Sequence, residues 1–388
     1  ITRRAVNIGL HDENYKTQEK TGFETESIAS ALYFAKGQEV PFTENVVTID
    51  IGGGTSDLSI WQDTKLLWRN SFKLAGKDVL INYLTNNLTL IKEISGNDDL
   101  LLESYQTLQS IRTNKSKLAN GIELLVNSSQ FGEAFKKKFD IFSGKEKGKE
   151  LKDLTELALS GILYYVSQVL NHLVKNGEFK TGENRSKSLR ICLGGKASTL
   201  YKVVFEDSED QDSLAKMISQ VTNKIFTNIG IVFTDTPKHE VSYGLLVDKE
   251  GATDLDLTNQ SHETVLGEDV VVGKEKIGTV SGLNKFIDKP WRIKDISQLK
   301  KFLELLKSTS KIRINPTAKF EGDLEGKINA ELKNGQARAQ NLKKDMQSVE
   351  GEDSLAELQK TSSIIEPVFI QGLKQVINEV TSGKLKLK

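Results

Sequence analysis

The stretch that decides the fold is VVTIDIGGGTSDLSIWQ, Val46 to Gln62. Val46, Val47 and Ile49 have the β-branched content of a buried strand. The run stops at Asp50, crosses Gly52, Gly53 and Gly54, and resumes as a second apolar run. Three glycines leave the turn without side chains, so its backbone can come close to a ligand and offer N–H groups to an anion. Asp50, Thr55 and Asp57 flank the glycines with the carboxylates and hydroxyl that suit a phosphate with its metal ion. A hairpin turn between two antiparallel strands satisfies the same pattern, and the two readings are compatible.

Upstream lies FETESIASALYFAKG, Phe23 to Gly37, with Ala29, Ala31, Leu32 and Ala35 at helical spacing and Gly37 where a helix would end. Downstream, LKDLTELALSGILYYVSQVLNHLV places Leu151, Leu154, Ala158, Ile162, Tyr165, Val169 and Leu173 on one stripe, as a long core-facing helix does. SLRICLGGKASTLYKVVFED follows, with a strand over Leu189 to Leu193, a break at Gly194 and Gly195, and a helix starting at Ser198 or Thr199. Backbone at such a turn can lie flat against a nucleotide. TDTPKHEVSYGLLV, Thr234 to Val247, reads as a helix initiated by Pro237.

In this order the four segments resemble the superfamily that unites actin, the seventy-kilodalton heat-shock chaperones and the sugar kinases. DIGGGTSDLSI is similar to its second phosphate loop in the form of the chaperone-like bacterial members, and LGGKAS to its adenosine motif. Pro237, Glu240, Tyr243 and Gly244 match the Pro, acidic and Tyr-Gly pattern that follows. The resemblance implies an α/β fold, an actin-like (ribonuclease H-like) ATPase lobe with a mixed sheet and flanking helices. It implies ATP and Mg2+ as ligands, with Glu26 orienting the attacking water (Glu24 is a near alternative), Thr55 at the γ-phosphate side, and Asp50 and Asp57 acting on the metal through water. Gly52, Gly53, Gly54, Gly194, Gly195, Lys196 and Ser198 are the nucleotide-binding positions it carries over.

No Asp-apolar-Gly-Thr stretch, the first phosphate loop of such ATPases, precedes Val46, and the chain starts at Ile1. The resemblance therefore leads us to expect part of a longer ATPase, with weak nucleotide binding and little or no hydrolysis by this chain. Residues 1–44 read as the remnant of a first lobe, 45–248 as the second lobe, and 249–388 as a C-terminal extension.

The 53 basic and 53 acidic residues cancel, which gives no overall attraction to nucleic acid or anionic membrane. Cys192, the single cysteine, excludes an internal disulfide framework and lies in an expected strand. No apolar run reads as a membrane span, and a cytoplasmic setting is expected. His11, His172, His239 and His262 lack metal-ligand spacing. Arg112, Lys115 and Lys117 belong to a helical, basic stretch whose ordinary reading is a solvated face. In the C-terminal region ETVLGEDVVVGKEKIGTV alternates like a hairpin, and DISQLKKFLELLKSTS reads as a short helix with an Asp cap. Residues 322–352, rich in Glu, Lys, Gln and Asn, read as an exposed helix pair or flexible arm. A last apolar stripe, from Ile365 to Val380, is interrupted near Pro367.

Three functions fit: a chaperone-like ATPase acting on a protein client, an actin-like filament former whose partner is itself, and a small-molecule kinase. The glycine triplet and the Tyr-Gly helix favour the first.

Overall fold

The computed structural model describes residues 26–183, 185–205, 208–237, 239–246, 255–257, 261, 263–310, 312–314, 316–347 and 365–387. Phe23, Glu24, His11, Val247, Asp248 and His262 lie outside them, as do residues 348–352 at the end of the expected arm.

The centre is a mixed α/β sheet of five strands, β1 (Asn45–Ile51), β2 (Ser56–Gln62), β3 (Lys65–Phe72), β4 (Ser188–Gly194) and β5 (Asn228–Phe233), in the order β3-β2-β1-β4-β5. β2 runs antiparallel to both its neighbours, while β1, β4 and β5 are parallel. The glycine triplet is thus a hairpin turn, and the strand before Gly194 is the parallel neighbour of the strand before the triplet. Asp50 stands level with Asp57 on one side and with Gly194 on the other.

Side chains alternate between the two faces of a strand, and here the alternation decides where the chemistry sits. Val47, Ile49 and Ile51 join Leu189, Ile191 and Leu193 in the larger core, whereas Val46 joins Ile28, Phe34, Trp61 and Cys192 in the smaller one. Asp50 lies two residues beyond Thr48 and four beyond Val46, and so belongs to the smaller-core face. That face is covered by α1 (Glu26–Leu32), which widens into a π-helical turn, Tyr33–Gly37. Gly37 ends the helix where the sequence places the stop.

Between β3 and β4 comes a run of helices, of which α4 (Asp99–Ser110), α5 (Lys115–Val126) and α6 (Ser129–Ser143) follow α2 (Asn82–Asn86) and α3 (Thr89–Ser95). Asp98, Asn114 and Ser128 cap α4, α5 and α6 by accepting N–H groups of Leu101, Lys117 and Phe131. Such caps stabilise by about 1 kcal/mol each. Arg112, Lys115 and Lys117 are exposed. The long helix α7 (Glu146–Lys175) buries the whole predicted stripe against the larger-core face. It is long and apolar enough to cross a membrane, but 78% of its apolar window is buried inside the molecule.

After α8 (Ser198–Val204), α9 (Ser208–Val221), β5 and α10 (Glu240–Leu246), residues 255–257 and 261 follow the outer edge of β3, bridging Lys65 to Asp256 and Trp68 to Ser261. The expected C-terminal hairpin is present as β6 (Val265–Val272) and β7 (Glu275–Thr279), with β8 (Arg292–Ile293) on the other side of β6. α11 (Val280–Asn284), α12 (Ser297–Thr309), α13 (Ala318–Gln347) and α14 (Val368–Thr381) complete the chain. α13 is one continuous helix of 30 residues, not a helix pair. Its stripe of Leu324, Ile328, Leu332 and Ala339 is narrow but buried, which polar composition conceals. α14 starts directly after Pro367 and packs where Gly161 of α7 admits Leu373.

The start of α12 is capped twice. Asp295 accepts the Ser297 N–H at 3.0 Å, as expected of the Asp cap, but the next two amides, Gln298 and Leu299, are taken by Glu268 of β6 at 3.0 and 2.7 Å. Burial raises the Glu268 carboxyl to about 7, against the opposing pull of those two amides. The folded chain therefore holds this proton more tightly than the unfolded chain. Its contribution to stability is fully present below the unfolded value of 4.5 and is lost as pH rises through about 7. Urea denaturation of the parent is expected to give lower stability at pH 8 than at pH 5, with Glu268 supplying at most about 3 kcal/mol. Glu268→Gln removes that share of the slope; an unchanged slope in this variant defeats the prediction.

Candidate functional site

Two glycine turns meet at the carboxyl ends of β1 and β4. In the first, the Gly52 N–H donates to the Thr55 carbonyl at 2.9 Å, closing the hairpin. The Gly52 and Gly53 carbonyls accept the N–H groups of Gly76 and Lys77 at 3.1 and 3.0 Å, which fixes the turn from behind. Gly53 and Gly54 have no positive φ, and a Cβ at either would stand with nothing within 4 Å. Neither backbone conformation nor packing calls for glycine there. The open space fits a ligand that needs the backbone bare.

The second turn is packed against the first. The Ala197 N–H donates to the Ile51 carbonyl at 2.9 Å, and a Cβ on Gly76 would stand 2.8 Å from that of Ala197. Gly195 has φ +79°, and a side chain there would collide with Asp50 Oδ1 and the Ile51 carbonyl. Glycine at 195 is thus imposed by the fold, unlike glycine at 53 and 54.

Four acidic residues converge on this corner. Asp50 and Asp57 face each other across the hairpin, an arrangement of like charges that destabilises a sheet. Glu26, exposed at the head of α1, acts on both. Glu240 opens α10 and is buried, with Oε1 accepting the Gly195 N–H at 2.7 Å. The Asp50 carboxyl is pushed up to about 7, first by burial, then by Glu240, Asp57 and Glu26. Burial also raises Asp57, opposed by a hydrogen bond from Ser71. The Thr55 hydroxyl, exposed, lies 3.4 Å from Asp57 Oδ2. Perturbed carboxyls gathered at one end of a sheet mark a candidate functional site.

The remaining sequence-derived positions are placed differently. Gly194 is buried, with Glu240 Oε1 and Ser30 Oγ next to the place a Cβ would take. Ser198 is buried and its hydroxyl donates to the Gly195 carbonyl at 2.7 Å, which stabilises the turn and faces away from solvent. Lys196 reaches outward, and its ammonium donates to Asn127 of the helical insert. Among the described residues, no three His, Cys, Asp or Glu side chains form a direct metal-ligand set.

The sequence singles out Glu240 only as part of a helix pattern; the residue's contact with Gly195, 45 positions away, depends on the packing of α10. Gly244, one turn further along, explains that packing. A Cβ on it would overlap the Ala29 carbonyl of α1, so the two helices touch backbone to backbone. Tyr243 packs edge-on against Tyr33, whose hydroxyl accepts from Thr236 at 2.9 Å.

No known protein-family model matches the chain, and no curated protein matches it.

Proposed function

We propose that this chain carries the nucleotide-binding lobe of an ATPase of the actin and heat-shock chaperone superfamily, closest to the chaperone-like members. One observation supports this above the others. The two glycine turns lie side by side at the carboxyl ends of adjacent parallel strands, β1 and β4, within one sheet. From β1 the chain builds outward to β2 and β3 on one side, and β4 and β5 lie on the other. In open α/β sheets, ligands occupy the crevice at such a switch in strand order. A single nucleotide can touch both turns there.

In this reading the bare Gly52–Gly54 turn receives the phosphates, Thr55 donates its hydroxyl to the terminal phosphate, and the Gly194–Gly195 turn supports the nucleoside. Glu26 orients the water that attacks. Asp50 and Asp57 would hold Mg2+ through its waters, and the ion would neutralise charge on the phosphate oxygens. The residues fit such an ion: the corner is crowded with carboxylates, and one carboxylate oxygen, Glu240 Oε2, is buried with no partner among the described residues. Catalysis of this kind rests on positioning and charge. The backbone contact between α1 and α10 links the site to helix packing, and nucleotide state would alter the grip on a protein partner through it.

Calorimetric titration of the full chain with ATP, with and without Mg2+, tests the reading. Binding that is stronger with Mg2+ and weakened about 10- to 100-fold by Asp50→Asn is expected, the range for removing a residue that supports a metal. Equal heats for the parent and Asp50→Asn at every concentration would remove the nucleotide reading.

A further inference from the structure

Glu240 is 1% exposed; its Oε1 accepts the Gly195 N–H, and its Oε2 has no partner among the described residues. The hydroxyl of Ser30, 0% exposed, is likewise unpartnered, and it lies beside the same glycine turn. A buried carboxylate is very unfavourable unless a positive charge or several donors face it. Glu240 acts on Asp50 of β1, and the acids Asp57 of β2 and Glu26 of α1 act on the same carboxyl. On the neighbouring turns, Lys77 pairs with Glu123 and Lys196 donates to Asn127. Among the described residues, this corner thus gathers four acidic side chains, one of them with a buried oxygen that has no partner.

We infer that Glu240 is a positioning residue for a hydrated divalent cation in this site, its buried carboxylate accepting hydrogen bonds from the cation's water shell alongside Asp50. The inference rests on the nucleotide reading above and adds to it a residue that the phosphate-loop motif does not contain. Mg2+ keeps several waters and is commonly bound through one or two carboxylates plus phosphate oxygens. The same carboxylate holds the Gly195 amide, so an ion bound here fixes the turn that supports the nucleotide.

The test uses the full chain, Mn2+ as a probe read by electron paramagnetic resonance, and ATP titrations with and without Mg2+. Glu240→Gln retains an oxygen for the Gly195 N–H and removes only the charge. It is expected to weaken Mn2+ binding and to reduce the ratio of ATP affinities with and without Mg2+ by about tenfold. A purely structural Glu240 leaves both readouts within twofold of the parent in the Gln variant, and that result overturns the inference. If the variant does not fold, the parent decides: Mn2+ alone must bind and raise its melting temperature, and failure to do either overturns the proposal. Should ATP bind to no form of the chain, the nucleotide reading falls, while the Mn2+ titrations still judge Glu240.

Discussion

Gly53→Val is expected to reduce Mg–ATP affinity by about 100-fold while leaving the melting temperature almost unchanged. The two halves of this result have separate causes. A Cβ at 53 meets nothing within 4 Å and the residue has no positive φ, so the folded chain accepts valine without strain. Exposed substitutions of that sort fall within about 0.5 kcal/mol. The space the side chain fills is the space the phosphates are proposed to take, and displacing a bound group by about 1 Å can cost on the order of a hundredfold. Calorimetry for affinity and a thermal melt for stability read the two effects independently. Should the variant bind Mg–ATP like the parent, the hairpin is not a phosphate cradle.

Gly244→Val has the opposite profile. The new side chain overlaps backbone, the Ala29 carbonyl, and no rotamer relieves that. Overpacking against side chains costs about 1–3 kcal/mol, and with a helix backbone as the obstacle the upper end or more is expected. α10 must shift away from α1, and Glu240, at its first residue, moves with it. Loss of the Gly195 contact then lowers ATP affinity as well. Urea denaturation of Gly244→Ala gives the graded version, because its Cβ already overlaps. A loss in that variant below about 0.5 kcal/mol means that the helices do not touch in solution.

These two glycines also mark how far the sequence could be read. The β1 and β4 strands, the hairpin and both glycine turns were legible because each is encoded locally, by β-branched runs that end on glycine. That β1 and β4 share one sheet follows from the need of one ligand to touch both turns; their direct parallel pairing shows only in the folded chain. The resemblance named Gly244 and Glu240, but their contacts with Ala29 and Gly195 join segments far apart, and no local pattern encodes such a crossing. The Glu268 cap on α12 escaped for the same reason. α13 escaped because its apolar stripe is sparse among charged residues; its burial is set by α14 and β8 rather than by its own composition.

The pairing of β1 with β4 also sets the order in which the molecule can assemble. Asn45 of β1 binds the carbonyl of Ser188 through its side chain, 143 residues along the chain. The hairpin of β1 to β3 is local and can form as soon as it is made. β4 cannot join it until the whole helical insert has been synthesised, an interval on the order of ten seconds at roughly 5–20 residues per second. During that time the β1 edge, with Val46, Val47 and Ile49, has no strand beside it. Non-local pairing of this kind is slow even in a complete chain. The corner that gathers the carboxylates is consequently a late product of folding, since it cannot close before β4 has been made.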